Sequence, residues 1–379
     1  MTDYAQLALL PEGLHDDLPP FAGHEARSIE RLVAQFEAHG YERVKPPLIE
    51  FEESLLAGPG AGVARHMFRL MDPISQRMMG LRADMTTQVA RIAATRLKNA
   101  PRPLRLCYAG QVLRVRGSQL RPERQYAQAG VELIGAEGVA GDAEVVLLAA
   151  EALQALGIQD LSVDLTVPSL VPLLTQALGL AAAEGEAARQ ALDARDGAAV
   201  DKLAPAVRQQ LGDLMRTAGP SDSALKGLAG LALPAPARAL YDHLAALVAY
   251  LGTGNGNLTL TIDPGESRGF EYQTGVSFSL FASGVRGELG RGGRYSLAGG
   301  ESAIGFTLYL DSLMRAIPKA TAVERLYLPF ATSGERARQL RAEGWCTVQG
   351  LASDADPGEE AQRLACGHIL RDGQATKLP

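Results

Sequence analysis

From His24 onward, apolar residues fall at Ile29, Leu32, Val33 and Phe36, the i, i+3, i+4, i+7 spacing of one helix face. Gly40 follows where a left-handed cap would end such a helix. The next segment, YERVKPPLIEFEE, is predicted to be extended, because Pro46 and Pro47 cannot continue a helix and are confined to the edge or boundary of a sheet. Residues 64–82 read as two short strands around a turn at Asp72 and Pro73. After them TTQVARIAATRL places Val89, Ile92, Ala93 and Leu97 on one helical face, with Asp84 or Thr86 available as its cap.

Two longer strand-like runs follow, LRLCYAGQVLRVR and QYAQAGVELIG, and the polar SQLRPER between them makes an antiparallel pair with a long loop. A helical run, AEVVLLAAEALQALG, leads to the strand LSVDLTV. From residue 170 to about 255 the chain is rich in Ala and Leu and poor in strand formers, which predicts an all-helical insertion. Strands return with NLTLTID, FEYQTGVSFSLFASG and GELGRGGRY, and a helix is expected to begin near Ala303. The sheet interrupted at residue 169 thus resumes at 256 and runs to 318. The remainder, 319–379, alternates strand and helix as a small α/β unit, short for a generous core of its own.

Composition narrows the function classes. At 379 residues, 46% hydrophobic and 21% charged, this is an ordinary globular chain. Its net charge of -6 opposes a nucleic-acid partner. No run approaches the roughly 18 apolar residues of a spanning helix. The N-terminus lacks a basic region and breaks its apolar stretch at Pro11, Glu12 and Gly13, unlike a signal peptide. Cys107, Cys346 and Cys366 lack zinc-site spacing and read as buried, reduced thiols of a cytoplasmic protein. No metal site and no cofactor are expected.

The polar residues embedded in strands carry the candidate chemistry. Gln128 and Glu132 are four apart on one strand and share a face. A carboxamide and a carboxylate turned inward need partners, either from a ligand or from the fold. A cationic amino group or an imidazole would answer Glu132; so would Arg114 or another arginine as a structural salt bridge. In GELGRGGRYS, Gly287, Gly290, Gly292 and Gly293 would let backbone approach a ligand, with Arg291 or Arg294 for an anion; a hairpin turn is the competing reading.

In order along the chain, these segments resemble the catalytic core of class II aminoacyl-tRNA synthetases, and specifically the histidyl enzyme. GYERVKPPLIE with its preceding helix is similar to motif 1, YAGQVLRVRGSQLRPERQYAQAGVELIG to motif 2, and LGRGGRY with AIGFTLYLDSLMRA to motif 3. SRGFEYQTG resembles the histidine-specific segment, which carries a catalytic arginine in the synthetase. The resemblance implies an α+β fold, an antiparallel sheet flanked by helices with a helical insertion and a truncated C-terminal unit. It also implies an amino-acid pocket at Asp84, Thr86, Arg114, Gln128, Glu132, Arg268, Tyr272 and Tyr295.

The departures from that family fall elsewhere. Ser312 stands where motif 3 has the arginine that grips the ATP γ-phosphate, and a hydroxyl cannot replace a charged bidentate clamp. Arg116 stands where motif 2 has a glutamate, Asp84 is one methylene shorter than the family's glutamate, and Gln273 replaces a second tyrosine. Kept amino-acid contacts with lost ATP contacts resemble the non-catalytic regulatory subunits of ATP phosphoribosyltransferase. That resemblance implies a short-form catalytic subunit as partner, histidine as effector, a homodimer through motif 1, and neither tRNA nor membrane binding. The alternatives are an active histidyl-tRNA synthetase with a divergent motif 3, and a paralogue acting as a tRNA- or protein-binding module.

Overall fold

The structure is a computed structural model, and it describes residues 8–57, 62, 64–118, 121–254, 258–267, 272–297, 299–318, 323–353 and 356–379. The first half of the chain runs α1 (Phe21–Ala38), β1 (Glu42–Arg43), β2 (Ile49–Phe51), α2 (Glu52–Leu55), β3 (Arg69–Met71), β4 (Met78–Leu81) and α3 (Thr86–Thr95). There follow β5 (Leu104–Leu113), β6 (Gln125–Ile134), α4 (Val139–Ala155) and β7 (Leu161–Thr166). Gly40 takes the left-handed conformation at φ +80° just past α1. Pro46 and Pro47 fall between β1 and β2, outside the hydrogen-bonded ladders that a missing N–H would interrupt.

Next come α5 (Leu170–Ala177), α6 (Ala182–Asp193), α7 (Gly197–Val200), α8 (Pro205–Arg216), β8 (Gly219–Pro220), α9 (Ser221–Ala229) and α10 (Ala235–Gly254). This stretch is not wholly helical. Gly219 and Pro220 end α8 and pair with β9 (Thr259–Ile262). The chain then forms β10 (Gln273–Ala282), β11 (Gly290–Ser296), β12 (Ser302–Tyr309) and α11 (Leu310–Ala316). The helix expected near Ala303 therefore starts only at Leu310. Residues 302–309 are a strand hydrogen-bonded to β6 on one side and β11 on the other.

Among the described residues the main sheet has nine strands in the order β1-β5-β6-β12-β11-β10-β7-β9-β8. Its central ladders, from β5 to β7, are antiparallel, while β1 joins β5 and β9 joins β7 in parallel. Alternation along β6 assigns its two faces. Ala127, Ala129, Val131 and Leu133 pack with Leu32 and Phe36 of α1 and with α4 in the principal core. Burying one side chain the size of Phe36 contributes roughly 1.5–3 kcal/mol. The even-numbered residues face the other way, toward α3, where Met85, Val89 and Ala93 cluster with Leu106, Tyr108, Val112, Ile134 and Tyr295. No helix among the described residues is long and apolar enough to cross a membrane.

Residues 1–318 and 319–379 form two compact units. The second consists of β13 (Arg325–Leu328), α12 (Gly334–Ala342), β14 (Cys346–Gln349), α13 (Pro357–Arg363), β15 (His368–Arg371) and β16 (Gln374–Lys377). Its four-stranded sheet has the order β14-β13-β15-β16, and β16 extends the expected alternation by one antiparallel strand. Leu326 and Leu328 pack on one face of β13 with Leu340, and Tyr327 on the other with Ile369. Cys107 and Cys366 are buried, whereas Cys346 is exposed, contrary to the expectation of three buried thiols.

Candidate effector site

The hollow on the α3 side of the sheet comes from missing side chains. Gly293 on β11 and Gly305 on β12 are direct neighbours in register, flanked by Ser277 on β10 and Glu132 on β6. A Cβ on Gly305 would lie 2.0 Å from Glu132 Oε2, so the carboxylate reaches over that bare position. Asp84, Thr86, Glu132, Tyr272, Gln273 and Arg291 line the hollow, with Tyr295, Thr307 and Tyr309 closing its walls.

Glu132 is only 1% exposed, yet no arginine, lysine or histidine among the described residues pairs with it. The structural salt bridge considered from the sequence is therefore absent among the described residues. Instead Tyr295 donates its hydroxyl to Oε2 at 2.8 Å, and Tyr108 approaches Oε1 at 3.5 Å. Burial pushes the Glu132 carboxyl up to about 8, partly offset by hydrogen bonds from Tyr295, Thr86 and Tyr108, while the Asp84 charge adds to the rise. Tyr108 is held in turn by a 2.8 Å contact with Thr307 Oγ1 and lies 3.4 Å from Thr86 Oγ1.

Asp84 sits at the start of α3. Its Oδ1 accepts the Thr86 backbone N–H at 2.8 Å and its Oδ2 accepts Gln128 Nε2 at 3.2 Å, while the N-cap position itself falls on Met85, not on Asp84 or Thr86 as expected. Gln128 Oε1 in turn accepts the Met85 N–H at 3.3 Å. Gln128 therefore stands behind Asp84 and fixes it. Tyr272, 37% exposed, meets the Tyr295 ring edge-on at 5.9 Å between centroids.

Five of the eight expected pocket residues, Asp84, Thr86, Glu132, Tyr272 and Tyr295, thus line one hollow, and Gln128 supports it from behind. Arg114 does not line it. It follows the end of β5, with its guanidinium 5.5 Å from the centre of the Tyr126 ring. Arg268 lies outside the described residues.

GELGRGGRYS is mostly strand, not a hairpin turn. Only Gly287, at φ +90°, takes a turn conformation, while Gly290–Ser296 is β11. Arg291 and Arg294, three apart on that strand, point to opposite faces. Arg291 lines the hollow and donates to Glu288 at 3.1 and 2.6 Å. Arg294 is committed to the fold, so the anion role considered for it does not hold. It pairs with buried Asp142 and donates to Ala136 O at 2.8 Å and Ser302 Oγ at 2.6 Å.

Sequence reasoning missed Tyr108, Thr307, Tyr309, Glu288 and Arg121. Arg121, from the polar loop between β5 and β6, stacks 3.8 Å from the Tyr309 ring centre and reaches Glu288 at 3.4 Å. Pairing the two predicted strands would have placed Tyr108 beside Gly130 on the Glu132 face. The Arg121 stack has no sequence signal. Ser312, at the position of the phosphate-gripping arginine, is fully buried and accepts Arg315 Nη2 at 3.0 Å.

Residues 13–313 match the family model described as histidyl-tRNA synthetase. The chain is 55% identical to an ATP phosphoribosyltransferase regulatory subunit from Rhodospirillum centenum, over 98% of this chain and 97% of the relative. It is 53% identical to one from Paramagnetospirillum magneticum, over 98% of each. The chain belongs to the ATP phosphoribosyltransferase regulatory subunits, within the histidyl-tRNA synthetase family. A solved structure described as an ATP phosphoribosyltransferase regulatory subunit/histidyl-tRNA synthetase from Bacillus halodurans superposes with a TM-score of 0.81 at 25% identity, covering 94% of this chain and 96% of that one. A histidyl-tRNA synthetase from Nostoc shares the fold with a TM-score of 0.80 at 18% identity, covering 96% of this chain and 91% of that one. These regulatory subunits thus share with the synthetase the sheet that carries the hollow.

Proposed function

We propose that this chain is a non-catalytic regulatory subunit that a short-form ATP phosphoribosyltransferase catalytic subunit requires for the first step of histidine biosynthesis, and that free histidine binds its hollow as feedback effector. The observation that carries the histidine reading is Glu132, a buried carboxyl answered among the described residues by hydroxyls. An imidazole entering the hollow brings the base that can share its proton, turning a costly buried acid into a hydrogen-bonded ion pair. Asp84, held by Gln128 and the Thr86 N–H, presents a carboxylate for the amino group. Arg268 completes the set on the family resemblance, and Tyr272 covers the ring.

Buried Ser312 supports the non-catalytic part of the reading, because it puts a short neutral side chain where a phosphate clamp is needed. In this account residues 1–169 and 256–318 hold the effector, 170–255 are an insertion, and 319–379 are a truncated anticodon-domain-like unit. A homodimer through α1 and β1 is the building block in the cytoplasm, without tRNA, membrane, metal or cofactor.

The test is reconstitution. Mixed with the short-form catalytic subunit, the full chain is expected to raise phosphoribosyl transfer, and added histidine to lower it again. Histidine-dependent exchange of pyrophosphate into ATP by the chain alone would overturn the reading in favour of a synthetase.

A further inference from the structure

The other side of the sheet holds a second cavity, of about 250 Å3, between α1, α11 and the strand ends at Gln111 and Gln125. Gln111 and Ala127 pair across β5 and β6 and turn toward α1, away from the hollow. Three residues of its wall carry four oxygens that the fold buries and leaves without a hydrogen-bond partner among the described residues. They are Glu123 Oε2, the Tyr126 hydroxyl and both oxygens of Asp311. Tyr126, at the end of β6, is 6% exposed and lines this cavity, not the hollow. The arginines whose charges reach Asp311 are engaged elsewhere, Arg121 with Glu288 at 3.4 Å and Arg315 with Ser312 Oγ at 3.0 Å.

Folds pair nearly all of their buried polar groups, and an ionised carboxylate can only accept. What answers this wall must therefore be rich in donors and positively charged. Asp17 and Glu25 add two more carboxyls, against Arg315 and a His15 that leans on Asp17 at 3.4 Å. Burial holds the Asp311 carboxyl above its ordinary value, with Arg121 opposing and Glu123 adding to the rise, and burial beside Asp17 does the same to Glu25.

Two features select the kind of cation. No three acidic, histidine or cysteine side chains among the described residues are placed to share one metal ion, and the cavity has room for several waters of about 30 Å3 each. Both Asp311 oxygens stand unanswered together, the pattern that a guanidinium fork meets with two parallel N–H bonds. Leu310 and Met314 give the same wall an apolar stretch for an alkyl stem.

We propose that this cavity binds a guanidinium group on an alkyl stem, held by both oxygens of Asp311, with Glu123 and Tyr126 taking its remaining donors. The group belongs either to a free small molecule or to an arginine side chain of a protein partner. The site is independent of the histidine reading, because hollow and cavity lie on opposite faces of one sheet.

The test is calorimetric titration of the full-length chain with butylguanidine, butylamine and magnesium chloride at constant ionic strength, on wild type, Asp311→Asn, Glu123→Gln and Glu132→Gln. Wild type is expected to bind butylguanidine saturably and about tenfold or more tighter than butylamine, with no comparable response to magnesium. Asp311→Asn is expected to weaken butylguanidine by about tenfold or more and Glu123→Gln by about threefold, while Glu132→Gln leaves it unchanged. Melting temperatures at or above wild type would show that the cavity variants fold, as expected when an unpaired buried charge is removed. Absence of saturable butylguanidine binding, wild-type affinity in both folded cavity variants, or loss of binding in Glu132→Gln in their place would overturn the proposal. Repeating the titration on the assembly with the catalytic subunit separates the two sources: binding retained there supports a free ligand, and binding abolished there supports an arginine of the partner.

Discussion

Glu132 and Asp142 are both carboxylates buried beyond reach of solvent, and the fold treats them in opposite ways. Asp142, on α4, is paired with Arg294 from β11 and with His243 from α10, so one group ties the helical insertion and the pocket strand to the back of the sheet. Its charge is answered within the chain. Glu132, across the sheet, receives among the described residues the hydroxyls of Tyr295, Tyr108 and Thr86, and burial holds its carboxyl up to about 8. A paired buried carboxylate is an element of construction. One answered only by neutral donors is costly to the fold and free to respond to a cation.

Substitution should separate the two. Asp142→Asn leaves Arg294 without its anion in a nearly buried position and is expected to cost about 3–5 kcal/mol in urea unfolding. A loss under about 1 kcal/mol would make Asp142 dispensable and the comparison void. Glu132→Gln is expected to leave stability at pH 8 unchanged or higher while weakening histidine by roughly 2–3 kcal/mol, read by calorimetry.

A pH series sharpens the contrast. The carboxyl of Glu132 rises from 4.5 to about 8 in the folded state, so between those values the native chain holds a proton that the unfolded chain has lost. Stability should therefore fall as pH rises through this window in wild type, and fall less steeply in Glu132→Gln. Identical slopes would show that Glu132 is not the group responsible. The smallest effect is expected from Tyr108→Phe, which removes the hydroxyl shared by Thr307, Thr86 and Glu132 and should cost about 1 kcal/mol of stability.

Much of the architecture was legible because periodicity reports which face is buried. Helix α1 with its glycine end, the β5–β6 pair and the alternation after residue 323 all follow from spacing. Strand β12 was not legible. AIGFTLYL lies between two neighbours with both faces covered, and a continuous apolar run of that kind does not distinguish a strand from a buried helix.

At the site, the shared face of Gln128 and Glu132 could be read from their spacing, but what answers Glu132 could not. Tyr295 comes from 163 positions further along, and its hydroxyl has no pattern in sequence. The commitment of Arg294 to Asp142 spans 152 positions. Yet the three-residue spacing from Arg291 already implied that only one of the two arginines faces the hollow. The family resemblance supplied Tyr272 and Tyr295, which alternation alone would not have selected, and the structure brings both to the wall.

The most direct test of the central claim is phosphoribosyl transfer by the catalytic subunit assembled with either the wild-type chain or Glu132→Gln, measured across a histidine series. Both assemblies should be active, and only the wild type should be inhibited at low histidine, with the variant's inhibition curve displaced by roughly 30-fold or more. Equal inhibition of the two assemblies would contradict the account, because histidine would then act without the buried carboxyl.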